Sequence, residues 1–195
     1  GGMVPVGAII AHEDVTKKVF SRMDRCVVHS STFGQNNAAM VCGLAAIEII
    51  KDEKLLENSE QVGKILMDGL QALKEKPEWI IEIRGKGLMI GVEFGKPSSL
   101  RKKLAWNLVH SMDKGLFGEL VVMPLMSKHH FLTQVSGHHQ DVVKLIPPLV
   151  ITEEHTQGFV AALDDVLQDC EKISGPIFQM GKNLAKASLE NRKSG

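Results

Sequence analysis

The sequence predicts an α/β fold, because strand and helix patterns alternate along it. Apolar residues recur at helical spacing between residues 62 and 73, and at every second position, as in a strand, between residues 88 and 94. A further helix is predicted after Thr152, since two acids occupy its first turn. With 195 residues, 44% of them hydrophobic, the chain can form one domain, or one domain with part of another.

Charge and composition exclude several classes of protein. Lysine plus arginine and aspartate plus glutamate number 23 each, so the basic excess of a nucleic-acid-binding surface is missing. No apolar run is long enough for a membrane helix, and no secretory signal opens the chain. The three cysteines are scattered and odd in number, which is typical of reduced thiols. We therefore predict a cytoplasmic protein without a nucleic-acid or membrane partner.

The elements are predicted in a definite order. The helix over residues 38–50 is predicted to be interior, because its apolar residues lie on all sides. A domain boundary is predicted just after it, which gives domains 1–55 and 56–173 and a tail, 174–195. The complete order is a buried strand (3–11), a short helix (12–23), the interior helix (38–50), a half-exposed helix (62–73), a strand region (80–94), a helix ending at Gly115, strands at 119–126 and 142–151, and the final helix.

Two hydroxyl residues, Ser31 and Thr32, precede the predicted interior helix. In one interpretation they cap the helix by accepting hydrogen bonds from its free N–H groups. In the other, the hydroxyls, the helix start and the nearby Gly34 form an anion site suited to a phosphate. The residues alone leave both interpretations open.

Two cations stand beside turn residues. Arg84 lies between a strand and two glycines. It is either a surface arginine in a turn, or an arginine whose guanidinium holds a carboxylate with two hydrogen bonds. Lys144 precedes two prolines, and it is either a solvated charge or a cation directed at a substrate.

Four histidines, in two adjacent pairs, raise the question of a metal. A hairpin could bring two of them together for zinc. Adjacent histidines in a strand point to opposite faces, however, and no cysteine or acid lies close by, so no metal site is predicted. The four are His129, His130, His138 and His139.

Four segments, in order, resemble the class III aminotransferases, which use pyridoxal phosphate on the type I fold. They are "GGMVPVGAIIA", "HSSTFGQN", "EIRGKGLMIGVEF" and "IPPLVIT" followed by a helix. The resemblance implies the C-terminal portion of that fold, with the end of the large domain and a small α+β domain. It also implies an activity that moves an amino group from an amine, diamine or amino acid to an oxo acid.

The resemblance assigns roles to several residues. Thr32, with Ser31 beside it, matches the threonine that binds the cofactor phosphate across the interface of a homodimer. The lysine that forms the Schiff base precedes the glycine pair in this family, so we expect it upstream of Gly1 and assign no catalytic residue here. The chain is therefore expected to be a fragment that is inactive alone.

The chain also departs from the family pattern. Lys144 stands where many members that act on α-amino acids carry an arginine, and a lysine lacks the planar fork. This favours an amine or diamine donor, with Lys144 and Arg84 as substrate-side candidates. Two alternatives remain: a related decarboxylase, aminomutase or racemase on the same fold, and a non-catalytic module that only dimerises.

Overall fold

The structure, a computed structural model, describes residues 2, 4–34, 36–75, 78–137 and 140–172. The chain divides into two compact units, Gly1–Leu55 and Leu56–Gly195. The assignment of these units to the large and small domains of a longer enzyme stays a prediction. The predicted tail, 174–195, lies outside the described residues.

The first unit contains two α-helices. Helix α1 spans Glu13–Val19 and begins at His12, whose Nδ1 accepts from the N–H of Asp14 at 3.3 Å. A 3-10 turn, Met23–Arg25, follows, and helix α2 spans Asn37–Asp52. Both helices were predicted. The buried strand predicted for residues 3–11 is wrong: residues 5–12 have no regular structure, and Ile9 and Ile10 are exposed.

Helix α2 differs from its prediction in burial. It was expected to be interior, yet Ala39 is its one buried residue, and the side chains of Val41 and Leu44 are more than half exposed, at 66% and 63%. Apolar residues on all sides indicate that a helix needs cover, but they do not say which element supplies it. Large apolar side chains elsewhere in the described part of this unit, such as Ile10 and Phe33, are themselves exposed.

The described part of the second unit contains a four-stranded antiparallel sheet whose buried residues form a core with helices. The strand order is β1-β2-β4-β3, and the core is formed by the inward residues of the sheet and by four helices. The elements are α3 (Leu55–Lys74), β1 (Ile80–Lys86), β2 (Met89–Phe94), α4 (Leu100–His110), α5 (Leu116–Ser127), β3 (Gln134–Val135), β4 (Val142–Leu145) and α6 (Glu153–Glu171). The predicted α/β class and the helices corresponding to α3 and α6 are confirmed.

Helix α5 corrects a second prediction. Residues 119–126 were predicted to be a strand, because they are apolar after Glu119 and include two adjacent valines. The structure buries Phe117, Val121 and Leu125 completely, and their spacing of four places them on one face of a helix. The preceding helix also ends earlier than predicted, at His110, while Gly115, at φ 90°, is the residue just before α5.

Glycines fix the hairpin between β1 and β2 against α3. Gly87, in the turn, has φ 55°, a conformation that glycine adopts readily. A Cβ on Gly63 of α3 would lie 2.4 Å from the carbonyl carbon and oxygen of Gly87, so two backbones meet there. A Cβ on Gly85 would lie 2.3 Å from the carbonyl oxygen of Met89. The "RGKGLM" segment is therefore required by the packing of this hairpin.

Within the described ranges, no helix combines the length and the apolar character needed to cross a bilayer.

Candidate functional site

The loop before α2 carries the first candidate site. Ser31 and Thr32 are exposed, and the carbonyl of Ser31 accepts a hydrogen bond from the N–H of Gly34 at 3.1 Å. A Cβ on Gly34 would lie 3.2 Å from both the carbonyl oxygen and the Oγ of Ser31. The glycine thus lets the loop close tightly over Ser31.

Asn36, and not the hydroxyl residues, caps α2. Its Oδ1 accepts from the N–H of Ala38 at 2.9 Å and from that of Ala39 at 3.3 Å. The interpretation of Ser31 and Thr32 as helix caps is therefore wrong, although asparagine just before a helix is a strong cap signal that the sequence contained.

The two hydroxyls remain available to a ligand. Among the described residues, neither the Ser31 nor the Thr32 hydroxyl has a hydrogen-bond partner. An anion bound there would depend on these hydroxyls, since Asn36 already occupies the N–H groups of Ala38 and Ala39.

Arg84, on β1, is held by two carboxylates. Its Nη1 donates to Oε2 of Glu93 on β2 and lies 3.2 Å from Oε2 of Glu82. The hydrogen bond with Glu93 raises the pKa of the guanidinium, with the nearby Glu82 charge adding to it. The guanidinium of Arg84 is thus already paired with carboxylates of the sheet.

Lys144 lies in the same cross-strand row as Arg84. Arg84 is paired with Gly91, Gly91 with Lys144, and Lys144 with Gln134. Because side chains alternate along a strand, this row lies on the face opposite Val92 and Val143, which point into the core. Lys144 is half-buried, and among the described residues its ammonium has neither a hydrogen bond nor an ion pair.

A cavity of about 320 Å³ lies beside Lys144, where β4 leads into the loop before α6. Asn58 of α3 holds this loop, since its Nδ2 donates to the carbonyls of Leu149 at 2.7 Å and Ile151 at 3.1 Å. The sequence analysis missed the role of Asn58, because a contact across more than 90 residues leaves no local signal.

His129, of the first histidine pair, belongs to a surface ion cluster. His129 Nε2 lies 2.9 Å from Oδ2 of Asp165, and Lys128 Nζ contacts Asp165 and Asp169 at 2.5 and 3.0 Å. Hydrogen bonding to Lys128 is the main cause that lowers the pKa of Asp165. These pairs tie the end of α5 to α6.

The second histidine pair, 138 and 139, lies outside the described residues. In the part of the chain that the structure describes, no group of three or more histidine, cysteine or acidic side chains could hold a metal.

Comparison with known proteins gives a consistent result. The model of the class III aminotransferase family matches residues 1–167. The acetylornithine aminotransferase of Caldanaerobacter subterraneus is 33% identical over 169 residues, which are 87% of this chain and 36% of that enzyme. The ornithine aminotransferase 1 of Staphylococcus aureus is 34% identical over 169 residues, covering 87% and 35% respectively.

Solved structures show the same relationship. A transaminase from the marine bacterium Virgibacillus matches with a TM-score of 0.61 and 25% identity, over 73% of this chain and 30% of that one. The acetylornithine aminotransferase of Elizabethkingia anophelis matches with a TM-score of 0.52 and 31% identity, over 72% and 32%. The fold is therefore part of the aminotransferase fold, as the resemblance implied.

The chain spans about a third of the length of these curated relatives, 36% and 35%. The family match covers both units as far as residue 167, and it includes the Thr32 loop, the glycine hairpin and the strand of Lys144. On these grounds the chain belongs to the class III aminotransferase family.

Proposed function

We propose that this chain is the C-terminal part of a pyridoxal-phosphate-dependent transaminase that moves an amino group to an oxo acid. The family match over residues 1–167 carries this proposal, and the names of the relatives, acetylornithine and ornithine aminotransferases, agree with it. We place the lysine that binds the cofactor in the portion of the relatives that this chain does not span. Alone, the 195 residues would then not catalyse the reaction.

The residues of the first candidate site fit the phosphate of the cofactor. Thr32 and Ser31 each present an exposed hydroxyl that needs no partner within the described structure. A phosphate has oxygens that accept hydrogen bonds from such groups. Asn36 keeps α2 capped whether or not the hydroxyls bind a ligand, so binding costs the helix nothing.

Of the two remaining candidate residues, we assign Lys144 to the substrate and Arg84 to the structure of the sheet. Bound pyridoxal phosphate supplies the electron sink for amino transfer, and the chain's own residues bind and orient. Lys144, whose ammonium has no partner among the described residues, is the substrate-side cation. Arg84 holds β1 to β2 through Glu93 and acts as a positioning residue.

A lysine at position 144 also bears on the amino donor. An ammonium attracts a carboxylate as a point charge, whereas an arginine grips both oxygens in one plane. The site thus depends less on a fixed α-carboxylate, which keeps amines and diamines among the donors together with amino acids.

We further propose a cytoplasmic homodimer in which Thr32 contributes to the site of the partner. The exposed apolar side chains of α2 support a protein interface, because so many of them on one helix are unusual for a free surface; they are Met40, Val41, Leu44, Ile47 and Ile49. The three free cysteines are consistent with a reducing compartment.

The decisive experiment compares Thr32→Ala with Ser30→Ala in the polypeptide that includes the cofactor-binding lysine. We expect Thr32→Ala to weaken binding of pyridoxal phosphate about tenfold, as loss of a charge-assisted hydrogen bond does. The neighbouring Ser30→Ala should have no effect, and binding of pyridoxal, which lacks the phosphate, should not change in either variant. Equal affinities of the two variants for pyridoxal phosphate would refute the role of Thr32.

A further inference from the structure

We propose that the tail, 174–195, docks on the exposed side of α4 and covers a row of leucines there. The inference goes beyond the proposed function, since it involves neither the cofactor nor the amino substrates. It assigns a partner to a surface of the second unit, and a contact to a segment beyond the family match, which ends at residue 167.

Helix α4 leaves one apolar row uncovered. Leu100, Leu104 and Leu108 follow each other at intervals of four, so they lie along one ridge of the helix. They are 75%, 62% and 43% exposed. The opposite side of α4 enters the core through Trp106 and Val109. Single apolar residues are ordinary on a protein surface, but a continuous row on one helix indicates a contact surface.

The end of α6 lies near the start of this row. Nη2 of Arg101 donates to the carbonyl of Glu171 at 3.4 Å, and Nζ of Lys102 lies 2.6 Å from Oε1 of Glu171. Arg101 stands three positions before Leu104 and is therefore its neighbour on the helix surface. The last described residue, Lys172, is thus close to the leucine row, and the tail begins two positions later.

The sequence of the tail suits an apolar row. Apolar residues recur in it at intervals of three and four, a spacing typical of an amphipathic helix. They are Ile177, Met180, Leu184 and Ala187. In the same period Lys182 and Lys186 fall on the other side, where they would stay in water. The cations beside the row, Arg101 and Lys103, lie at its start, whereas the tail has no cation before Lys182, so like charges need not meet.

The tail is also long enough. The three leucines span about 12 Å along α4, at a rise of about 1.5 Å per residue. Residues 177–187 would cover about 16 Å at the same rise. Gly175 and Pro176 stand just before them, a pair typical of a turn, which would let the chain change direction after α6.

A second copy of the chain is a weaker candidate for this row. A stable dimer buries about 800 Å² on each partner, far more than three leucine side chains offer. The tail is already joined to α6, so it docks without the loss of translational and rotational freedom that a separate partner suffers.

The test follows hydrogen exchange of the tail by mass spectrometry in the 195-residue chain, with a synthetic peptide of residues 174–195 as the undocked reference. We expect the amides of residues 177–187 to exchange at least about tenfold more slowly in the chain than in the peptide, because docking protects them from water. Leu104→Asp should remove this protection, since a carboxylate would have to enter the apolar contact. The control Leu56→Asp, at a position of α3 that is 66% exposed, should keep it.

A pair of variants in the tail keeps the test valid if Leu104→Asp does not fold. Leu184→Asp should abolish the protection, whereas Asn183→Asp, one position away, should not. Tail amides that exchange in the unaltered chain as fast as in the peptide would overturn the proposal. Protection that rises with protein concentration would overturn it in favour of a second copy, and protection seen only with phosphatidylserine vesicles in favour of a lipid surface. None of these outcomes bears on Thr32 and pyridoxal phosphate.

Discussion

The two units of this chain differ in what their apolar residues do. In the second unit they form a shared core in which Phe117 contacts Trp79 and Trp106, each at 5.0 Å between ring centroids, and Phe94 at 5.4 Å. In the first unit the large apolar side chains are mostly exposed, and Ala39 is the one buried residue of its helices. Similar apolar composition thus gives a self-sufficient core in one region and an uncovered surface in the other.

This difference separates two kinds of information in a sequence. Periodic apolar residues specify a core when their partners lie in the same chain, as in α3 and α6. When the packing partners do not lie in the same chain, the pattern shows that these residues require burial, but the chain alone does not bury them.

The largest expected effect is on the reactivity of the cysteines. Cys170, in α6, is buried, and burial raises the pKa of its thiol to about 12, from an ordinary 9.0. Cys26, in the first unit, is exposed. Since the thiolate is the reacting form, a maleimide at pH 8 should label Cys26 at least about a thousandfold faster, because Cys170 reacts only when its unit opens. Mass spectrometry of the labelled peptides measures this ratio, and comparable rates would show that the second unit is not a closed core.

Removal of a central ring should strongly destabilise the second unit. Phe117→Ala should lower its free energy of unfolding by about 3–5 kcal/mol, because the cavity left behind is fully enclosed. The matched change Leu44→Ala in α2, where the side chain is 63% exposed, should alter it by less than about 0.5 kcal/mol. Both tryptophans of the chain lie in this core, so their fluorescence in a urea titration reports on this unit. Equal effects of the two changes would contradict the contrast.

The glycines of the sheet should respond unequally. Gly85→Ala should cost about 1–3 kcal/mol of unfolding free energy, since the new Cβ would overlap the Met89 carbonyl. At Gly91 the nearest side-chain atom would be 3.5 Å away, an ordinary contact. Gly91→Ala should therefore be neutral, or stabilising by about 0.5–1 kcal/mol. The same urea titration distinguishes them, and a large loss in Gly91→Ala would show that the uncovered face of the sheet has a tighter neighbour.

The smallest effect concerns pH. Lys128 lowers the pKa of Asp165 below its ordinary 3.8 and contributes to the lowered pKa of Asp169, for which Lys172 is the main cause. A lowered carboxyl pKa stabilises the fold above the ordinary value, and this contribution is lost as the pH falls through the lower, folded value. The difference in stability between the unaltered chain and Lys128→Met should thus be constant near neutral pH and shrink in acid. Lys103→Met, at an exposed position of α4, is the control; a difference independent of pH would exclude the ion pairs as its cause.

The sequence predicted most helices because their cause is local. The spacing of apolar residues in α3 and the acids after Thr152 are visible without any tertiary contact. The error at α5 arose because residues 119–126 have almost no polar positions to reveal a period, and the helix is decided by the core that Phe117, Val121 and Leu125 enter. Tertiary packing there overrides the β-preference of valine.

The candidate site was predictable only in its residue types. The hydroxyls, Arg84 and Lys144 could be named from their neighbours along the chain. Whether each of these side chains already has a partner could not be predicted, because the ion pair of Arg84 is made with Glu93 on the neighbouring strand. The cavity wall likewise depends on a hydrogen bond from Asn58, which is distant in the sequence. Sequence order does not show such pairings.

The cap of α2 has a consequence for how this loop tolerates mutation. Asn36 secures the start of the helix, so a change at Thr32 removes a hydroxyl without removing a structural bond. Screens for expression or solubility will pass variants at position 32, and only an assay that depends on a bound phosphate can detect them. Variants at position 36 will fail such screens first. Natural variation can therefore erase the proposed function of this loop while leaving its shape intact.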